Sequence, residues 1–341
     1  MIWQFTEDMS ENQLAKRRIT QQQVTRIKSR QQQAGQQPNS HPDDDQLGPE
    51  EPGLVLAHYG AMADVEAADG RCVHCLLRQH LGILVPGDQV VWRASDHNNG
   101  VIVARKPRYS LLGRPDPQGE IKPIAANIDQ MLITIAPEPA ISTLLIDSYL
   151  VASELLKIQP LIILNKIDLI TQNHHSEVAT VVQLYSQLGY SLLQVSVKTT
   201  IGLKQLQQAL RDKTNVFVGQ SGVGKSSLID WLLPQTEIRM AALTRTSKLG
   251  THTTSTAHLY HLPQGGALID SPGIRSFGLW QLTATEIARG FIELKPLVGQ
   301  CKFRNCAHQL EPHCALQQAL KDGVIARSRF ENFKKLIAAI D

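Results

Sequence analysis

The spacing of apolar residues changes three times along the chain. Residues 1 to about 48 have few apolar positions, and these follow no period. Gln21–Gln23, Gln31–Gln33 and Gln36-Gln37 sit among Lys16, Arg17, Arg18, Arg26, Lys28 and Arg30. Such a stretch buries too little apolar surface to offset its ordering entropy and reads as a flexible basic arm. Next come short apolar runs separated by turn signals. Leu54–Ala57, Met62–Glu66 and Arg71–Leu77 lead to Pro86-Gly87-Asp88 and Gln89–Trp92, then to Asn98-Asn99-Gly100 and Gly100–Ala104. Five short strands over about 60 residues predict a small β-barrel of the OB-fold type at 49–117. From 118 to 282 the runs become continuous. Met131–Ile135, Leu161–Leu164, Asn215–Val218 and Ala267–Ile269 look like strands buried on both faces of a parallel sheet. Thr143–Ile158, His174–Leu188 and Lys225–Leu233 read as helices between them, giving an α/β domain. Residues 283–341 read as mostly helical, with two short helical stretches beyond Pro296, the last at Arg327–Ile340.

Composition fits this multidomain reading. The 341 residues are 42% hydrophobic and 19% charged, which suits a globular protein with a real core. The net charge of +3 is too small to imply a nucleic-acid partner by itself. The arm is different: no acidic residue lies between Asn12 and Ser40, so it suits nucleic-acid phosphates until Asp43–Asp45 and Glu50-Glu51 reverse the charge. No apolar run approaches a membrane span. The first residues lack the basic-then-apolar order of a secretory signal. Five cysteines, three of them clustered, favour metal in a reducing compartment over a disulfide framework, so a cytoplasmic location is expected.

The chemistry lies where strands end, as open α/β sheets dictate. Gly219-Gln220-Ser221-Gly222-Val223-Gly224-Lys225-Ser226 follows a strand and opens a helix, with Ser227 next, as a phosphate-binding loop requires. Its glycines let backbone amides turn onto phosphates, Lys225 would bridge the β- and γ-phosphates, and Ser226 would bind magnesium. Asn165-Lys166-Ile167-Asp168 ends another strand. An aspartate there accepts two hydrogen bonds from guanine that adenine cannot offer, Asn165 would brace the loops, and Lys166 would cover the base. Ser196-Val197-Lys198 follows the next strand and would present a backbone amide to guanine O6. Asp270-Ser271-Pro272-Gly273 supplies a second magnesium contact through Asp270 and a γ-phosphate sensor at the Gly273 amide. The polar run Gly250–Thr256 reads as a switch loop in which Thr253 and Thr254 are both candidate magnesium ligands. Ras-like enzymes place a glutamine after the switch glycine to orient water, but this chain has Ile274. Unassisted hydrolysis is therefore expected to be slow, with His252 or a group from a partner orienting the water. The base-reading motifs precede the phosphate loop, so the predicted GTPase is circularly permuted.

Two cysteine groups read differently. Cys72 and Cys75 lie three apart on a strand, on opposite faces and without a second ligand pair, so they read as structural. Cys301-x4-Cys306-x-His308-x5-Cys314 offers three thiolates and an imidazole, the set of one structural zinc ion. His313 is a rival nitrogen ligand, and the spacing favours His308.

Together these residues resemble the circularly permuted ribosome-assembly GTPases of the RsgA (YjeQ) family. The resemblance covers about residues 50 to 341 and leaves the arm as its weakest part. It implies a bacterial cytoplasmic enzyme that binds the small ribosomal subunit and its rRNA late in assembly. The subunit would stimulate hydrolysis of GTP to GDP and thereby release the enzyme. A monomer is the default expectation. Some permuted GTPases bind potassium through an asparagine where this chain has Gly222, which leaves potassium dependence open. The alternative reading is a non-hydrolysing RNA-binding scaffold that senses GTP, against which Lys225, Ser226 and Asp270 all stand intact.

Overall fold

The computed structural model describes residues 47–78, 81–96, 98–115, 120–233, 257–270, 282–304, 306–308 and 311–339. Residues 1–46 of the expected arm at 1–48, together with His252, Thr253, Thr254 and Gly273, lie outside them. The chain divides into two units, Met1–Leu47 and Gly48–Asp341, and the elements below all belong to the second.

Five strands form the barrel: β1 (Glu50–Tyr59), β2 (Met62–Ala67), β3 (Cys72–Leu77), β4 (Gln89–Ala94) and β5 (Asn99–Arg105). They pair in the order β1–β2–β3–β5–β4, and β4 returns to β1 to close the barrel. Alternation along each strand sends every second residue inward. In β3, Val73 and Cys75 are buried, whereas Cys72 faces outward. Val55, Val65, Val90, Trp92 and Ile102 complete this core.

The second layer system is built on β8 (Gln130–Ile135), β9 (Gln159–Leu164), β10 (Leu192–Gln194), β11 (Thr214–Val218), β12 (His258–His261) and β13 (Ala267–Asp270). Their order across the sheet is β10–β9–β8–β11–β13–β12, parallel except for antiparallel β12. Helices α1 (Thr143–Leu156), α2 (Gln172–Gln187), α3 (Leu203–Leu210) and α4 (Lys225–Leu232) cover the sheet. All six residues of β8 are buried, as its apolar run predicts for a strand covered on both faces. The strand that leads into the phosphate loop, β11, comes late in sequence but lies centrally, between β8 and β13. That is the structural meaning of the permuted motif order.

Three features were not visible in the apolar pattern. Hairpin β6 (Leu111–Pro115) and β7 (Ile121–Ala126) is interrupted by prolines and glycine, which hide its period. Helix α3 has only eight residues. Strand β12 has four, and it pairs Ala57 of β1 with His258, so barrel and GTPase strands make one 11-stranded sheet.

The C-terminal region contains α5 (Ala284–Gly290), α6 (Ala315–Lys321) and α7 (Arg327–Ala338). Thr283 and Glu286 form a reciprocal capping box that starts α5 by satisfying its first amides. Ile287, Phe291, Leu316, Phe330 and Phe333 pack into one apolar cluster that also takes in Val151 of α1, so this region is seated on the GTPase domain. Beside that cluster Arg329, 1% exposed, bridges Asp147 of α1 and Glu293. Among the described residues no helix is long and apolar enough to cross a membrane.

Candidate nucleotide site and metal cluster

The nucleotide motifs converge although 58 residues separate Asn165 from Val223. Asn165 is buried at the end of β9, and its Nδ2 donates to the Val223 carbonyl at 2.9 Å. Lys166 adopts a left-handed backbone (φ 58°) and extends its Nζ to the Gly222 carbonyl at 2.6 Å and the Glu138 carbonyl at 3.3 Å. The base-reading loop is thus tied to the phosphate loop by two side chains. Gly224 makes this approach possible: its φ is 94°, and a Cβ there would lie 2.4 Å from Asn165 Nδ2. That is a second reason for the glycine, beyond the turn the motif itself demands.

Asp168 is exposed, and its Oδ1 accepts from Ser196 Oγ at 2.5 Å. Ser196 Oγ in turn accepts the Thr199 amide at 3.2 Å. The serine therefore orients the carboxylate, a task that the motif alone did not assign to it. Val197 and Lys198 follow in the turn after Ser196. Below them Ile167 N donates to the Val195 carbonyl, which ties the two base-side loops together.

Lys166, Gly219, Ser221, Gly222, Gly224, Lys225, Ser226 and Ser227 line a pocket of about 390 Å³. Lys225 is buried, and its Nζ donates to the Gly219 and Gln220 carbonyls at 2.7 and 2.6 Å. Folded over the loop in this way, the ammonium stands at the pocket wall, where a polyphosphate offers it stronger acceptors. Gln220 is exposed, Val223 is buried, and Ser226 and Ser227 occupy the first turn of α4, whose N-terminus faces the pocket. Asp270 ends β13, the parallel neighbour of β11, so its carboxylate emerges on the sheet end that carries the phosphate loop.

Cys301, Cys306, His308 and Cys314 bring one donor atom each within 4.8 Å of the others. The Cys301 and Cys314 sulfurs are 3.8 Å apart, and His308 Nδ1 lies 3.5 and 3.4 Å from them. A tetrahedral ion with bonds of about 2.3 Å to sulfur and about 2.05 Å to nitrogen needs edges of ~3.8 and ~3.6 Å, which the Cys301, His308 and Cys314 separations match. Burial lowers the His308 pKa, which keeps the imidazole neutral and able to ligate. Gln317 Nε2 holds the His308 carbonyl at 2.8 Å, and the ring lies 6.1 Å from that of Phe333 on α7. The His313 imidazole is not among the converging donors; its carbonyl accepts the Lys302 amide.

A central phosphate loop preceded in sequence by its base-reading strands, with an OB-type barrel ahead and a cysteine–histidine cluster behind, defines a circularly permuted GTPase. The RsgA GTPase family model matches residues 105–280. The chain is 48% identical to the small ribosomal subunit biogenesis GTPase RsgA of Hahella chejuensis, over 95% of this chain and 96% of that protein. Identity to the protein of the same name from Pseudomonas aeruginosa strain LESB58 is 46%, over 96% and 98% of the two chains. Among solved structures, YjeQ from Thermotoga maritima is similar with a TM-score of 0.70 and 30% identity, covering 86% of this chain and 99% of that one. YloQ, a circularly permuted GTPase, is similar with a TM-score of 0.68 and 28% identity, covering 86% and 95%. The chain belongs to the RsgA GTPase family.

Proposed function

We propose that this chain is a cytoplasmic, monomeric GTP hydrolase that binds the small ribosomal subunit late in its assembly and leaves when bound GTP is hydrolysed. The observation that carries this reading is the single sheet joining an OB-type barrel to the permuted GTPase strands, in a chain whose relatives are named for small-subunit biogenesis. In it, a surface suited to RNA and a nucleotide site share one hydrogen-bonded framework. Phe303, exposed between exposed Lys302 and Arg304 beside the metal cluster, adds a second face suited to rRNA.

The roles are assigned from the motifs. Asp168, oriented by Ser196, reads the guanine edge, Lys166 covers the base, and a backbone amide in Ser196–Lys198 meets O6. Gly219 to Ser227 wrap the phosphates, and Lys225 exchanges its two carbonyl partners for phosphate oxygens. Ser226 and Asp270 hold magnesium with GTP, with Thr253 or Thr254 completing the set. Magnesium, when bound, neutralises charge that develops on the β- and γ-phosphate oxygens. The Gly273 amide senses the γ-phosphate, and His252 or a ribosomal group orients the water. Cys301, Cys306, His308 and Cys314 hold one zinc ion that fixes the C-terminal fold. The basic arm at 1–48 orders on rRNA.

GTP and ATP turnover by the purified protein, with and without small ribosomal subunits, tests this reading. Slow, GTP-specific turnover that rises greatly with subunits is expected. GTP turnover unchanged by subunits would overturn the ribosomal assignment, and equal use of ATP would overturn the role of Asp168.

A further inference from the structure

We propose that the buried Asp147–Arg329 contact makes the C-terminal helices a positioning element for the phosphate loop, with helix α1 as the connection between them. The proposal rests on the reading of Gly219–Ser227 as a GTP site.

Helix α1 has two attachments within one turn. Leu145, Ile146 and Tyr149 line a small apolar cavity beneath the phosphate loop together with Gly219, Gln220 and Val223. The Gly219 amide also interacts with the Tyr149 phenol. Two residues away, Asp147 is fully buried and receives three donors: Arg329 Nη1 at 2.5 Å, Tyr185 Oη at 2.5 Å and Asn332 Nδ2 at 2.7 Å. Arg329 and Asn332 are three apart on α7, so one turn of that helix grips a single carboxylate. The rest of the guanidinium forks onto Glu293 at 2.7 and 2.9 Å, and its carbon lies 4.4 Å from the Phe291 ring centre.

Apolar side chains would seat α7 at least as firmly, because desolvation offsets most of the attraction in a buried ion pair. What the charged set supplies is one register. Any slip of α7 along α1 strands two carboxylates and a guanidinium away from water, so intermediate positions are costly. A rigid α1 then holds Tyr149 under Gly219 only while Arg329 is seated. Linkage makes the coupling reciprocal: nucleotide in the loop favours the seated helix, and seating favours nucleotide. Arg329, Asn332, Asp147 and Tyr149 are therefore positioning residues, remote from the reacting atoms.

The test measures GDP affinity with a fluorescent GDP analogue on the full chain, alongside thermal melting. Arg329→Lys keeps a cation but loses the planar fork. It is expected to weaken GDP binding about tenfold. Tyr149→Phe is expected to weaken it by a smaller factor, and the double variant to bind no more weakly than Arg329→Lys alone. Ile325→Ala loosens the same apolar cluster outside the clamp, and is expected to lower the melting temperature with GDP affinity within about twofold of wild type. A folded Arg329→Lys chain with wild-type GDP affinity, or single effects that multiply in the double variant, would overturn the proposal. If Arg329→Lys does not fold, Asn332→Ala, which leaves the ion pair in place, must weaken GDP binding about threefold, and wild-type affinity there overturns it instead. A wild-type chain that binds no GDP is a separate result: it removes the nucleotide reading itself, and the coupling with it.

Discussion

Gly224→Ala tests the contact between the two nucleotide loops. The residue sits at φ 94°, and the added methyl would lie 2.4 Å from Asn165 Nδ2, about 1 Å inside ordinary contact. The left-handed backbone costs about 1 kcal/mol for alanine. Displacing Asn165 breaks its 2.9 Å hydrogen bond to Val223. Losing that bond and leaving a buried carbonyl unsatisfied costs about 1–3 kcal/mol. Without nucleotide the two loops can separate and relieve the clash, whereas a bound guanine nucleotide needs both in place at once. Most of the ~2–4 kcal/mol should therefore appear as lost affinity rather than lost stability. At about 1.4 kcal/mol per tenfold, GDP binding is expected to weaken by at least ~10-fold. Titration of a fluorescent GDP analogue measures the affinity, and a melting curve checks that the variant is folded. Affinity within about threefold of wild type in a folded variant would refute the claim that loop apposition, set by this glycine, builds the site.

Three further outcomes are expected. Ser196→Ala removes the hydroxyl that orients Asp168 and should reduce discrimination of GTP from ATP about fivefold, read from competition binding, with melting nearly unchanged. Cys301→Ser should release the bound metal, seen by elemental analysis, and lower the melting of the C-terminal cluster, whose apolar packing includes Cys301 and Cys306; retention of one equivalent of zinc would exclude this ligand set. Burial lowers the His58 pKa in the folded barrel, so the unfolded chain binds more protons near and below pH 6.5. Stability should therefore fall as pH drops from 7 to 5, and His58→Leu should flatten that slope in urea titrations at several pH values.

Much of the site was readable because its chemistry is local. A phosphate loop needs consecutive backbone amides, glycines at fixed offsets and a lysine on the first helical turn, all within eight residues. The candidate metal-ligand set is nearly as local, with four donors inside Cys301–Cys314. Buried parallel strands announced themselves by unbroken apolar runs such as Met131–Ile135. Four-residue β12 is too short to display a period, and prolines and a glycine break that of hairpin β6–β7. The Arg329–Asp147 contact was equally silent: Arg329 reads as an ordinary surface cation of an amphipathic helix, yet it is 1% exposed.

The sequence by itself determined the class of fold, the permuted motif order and the residue types proposed to meet phosphate, guanine and metal. These depend on backbone geometry and donor chemistry over a few residues. Tertiary structure alone decided how those pieces are held. Asn165 and Lys166 brace the phosphate loop across 58 and 56 residues, β1 joins β12, and Arg329 meets Asp147 across 182. Such pairings follow from how closed surfaces fit one another, and no pattern of neighbouring residues specifies a partner that far along the chain.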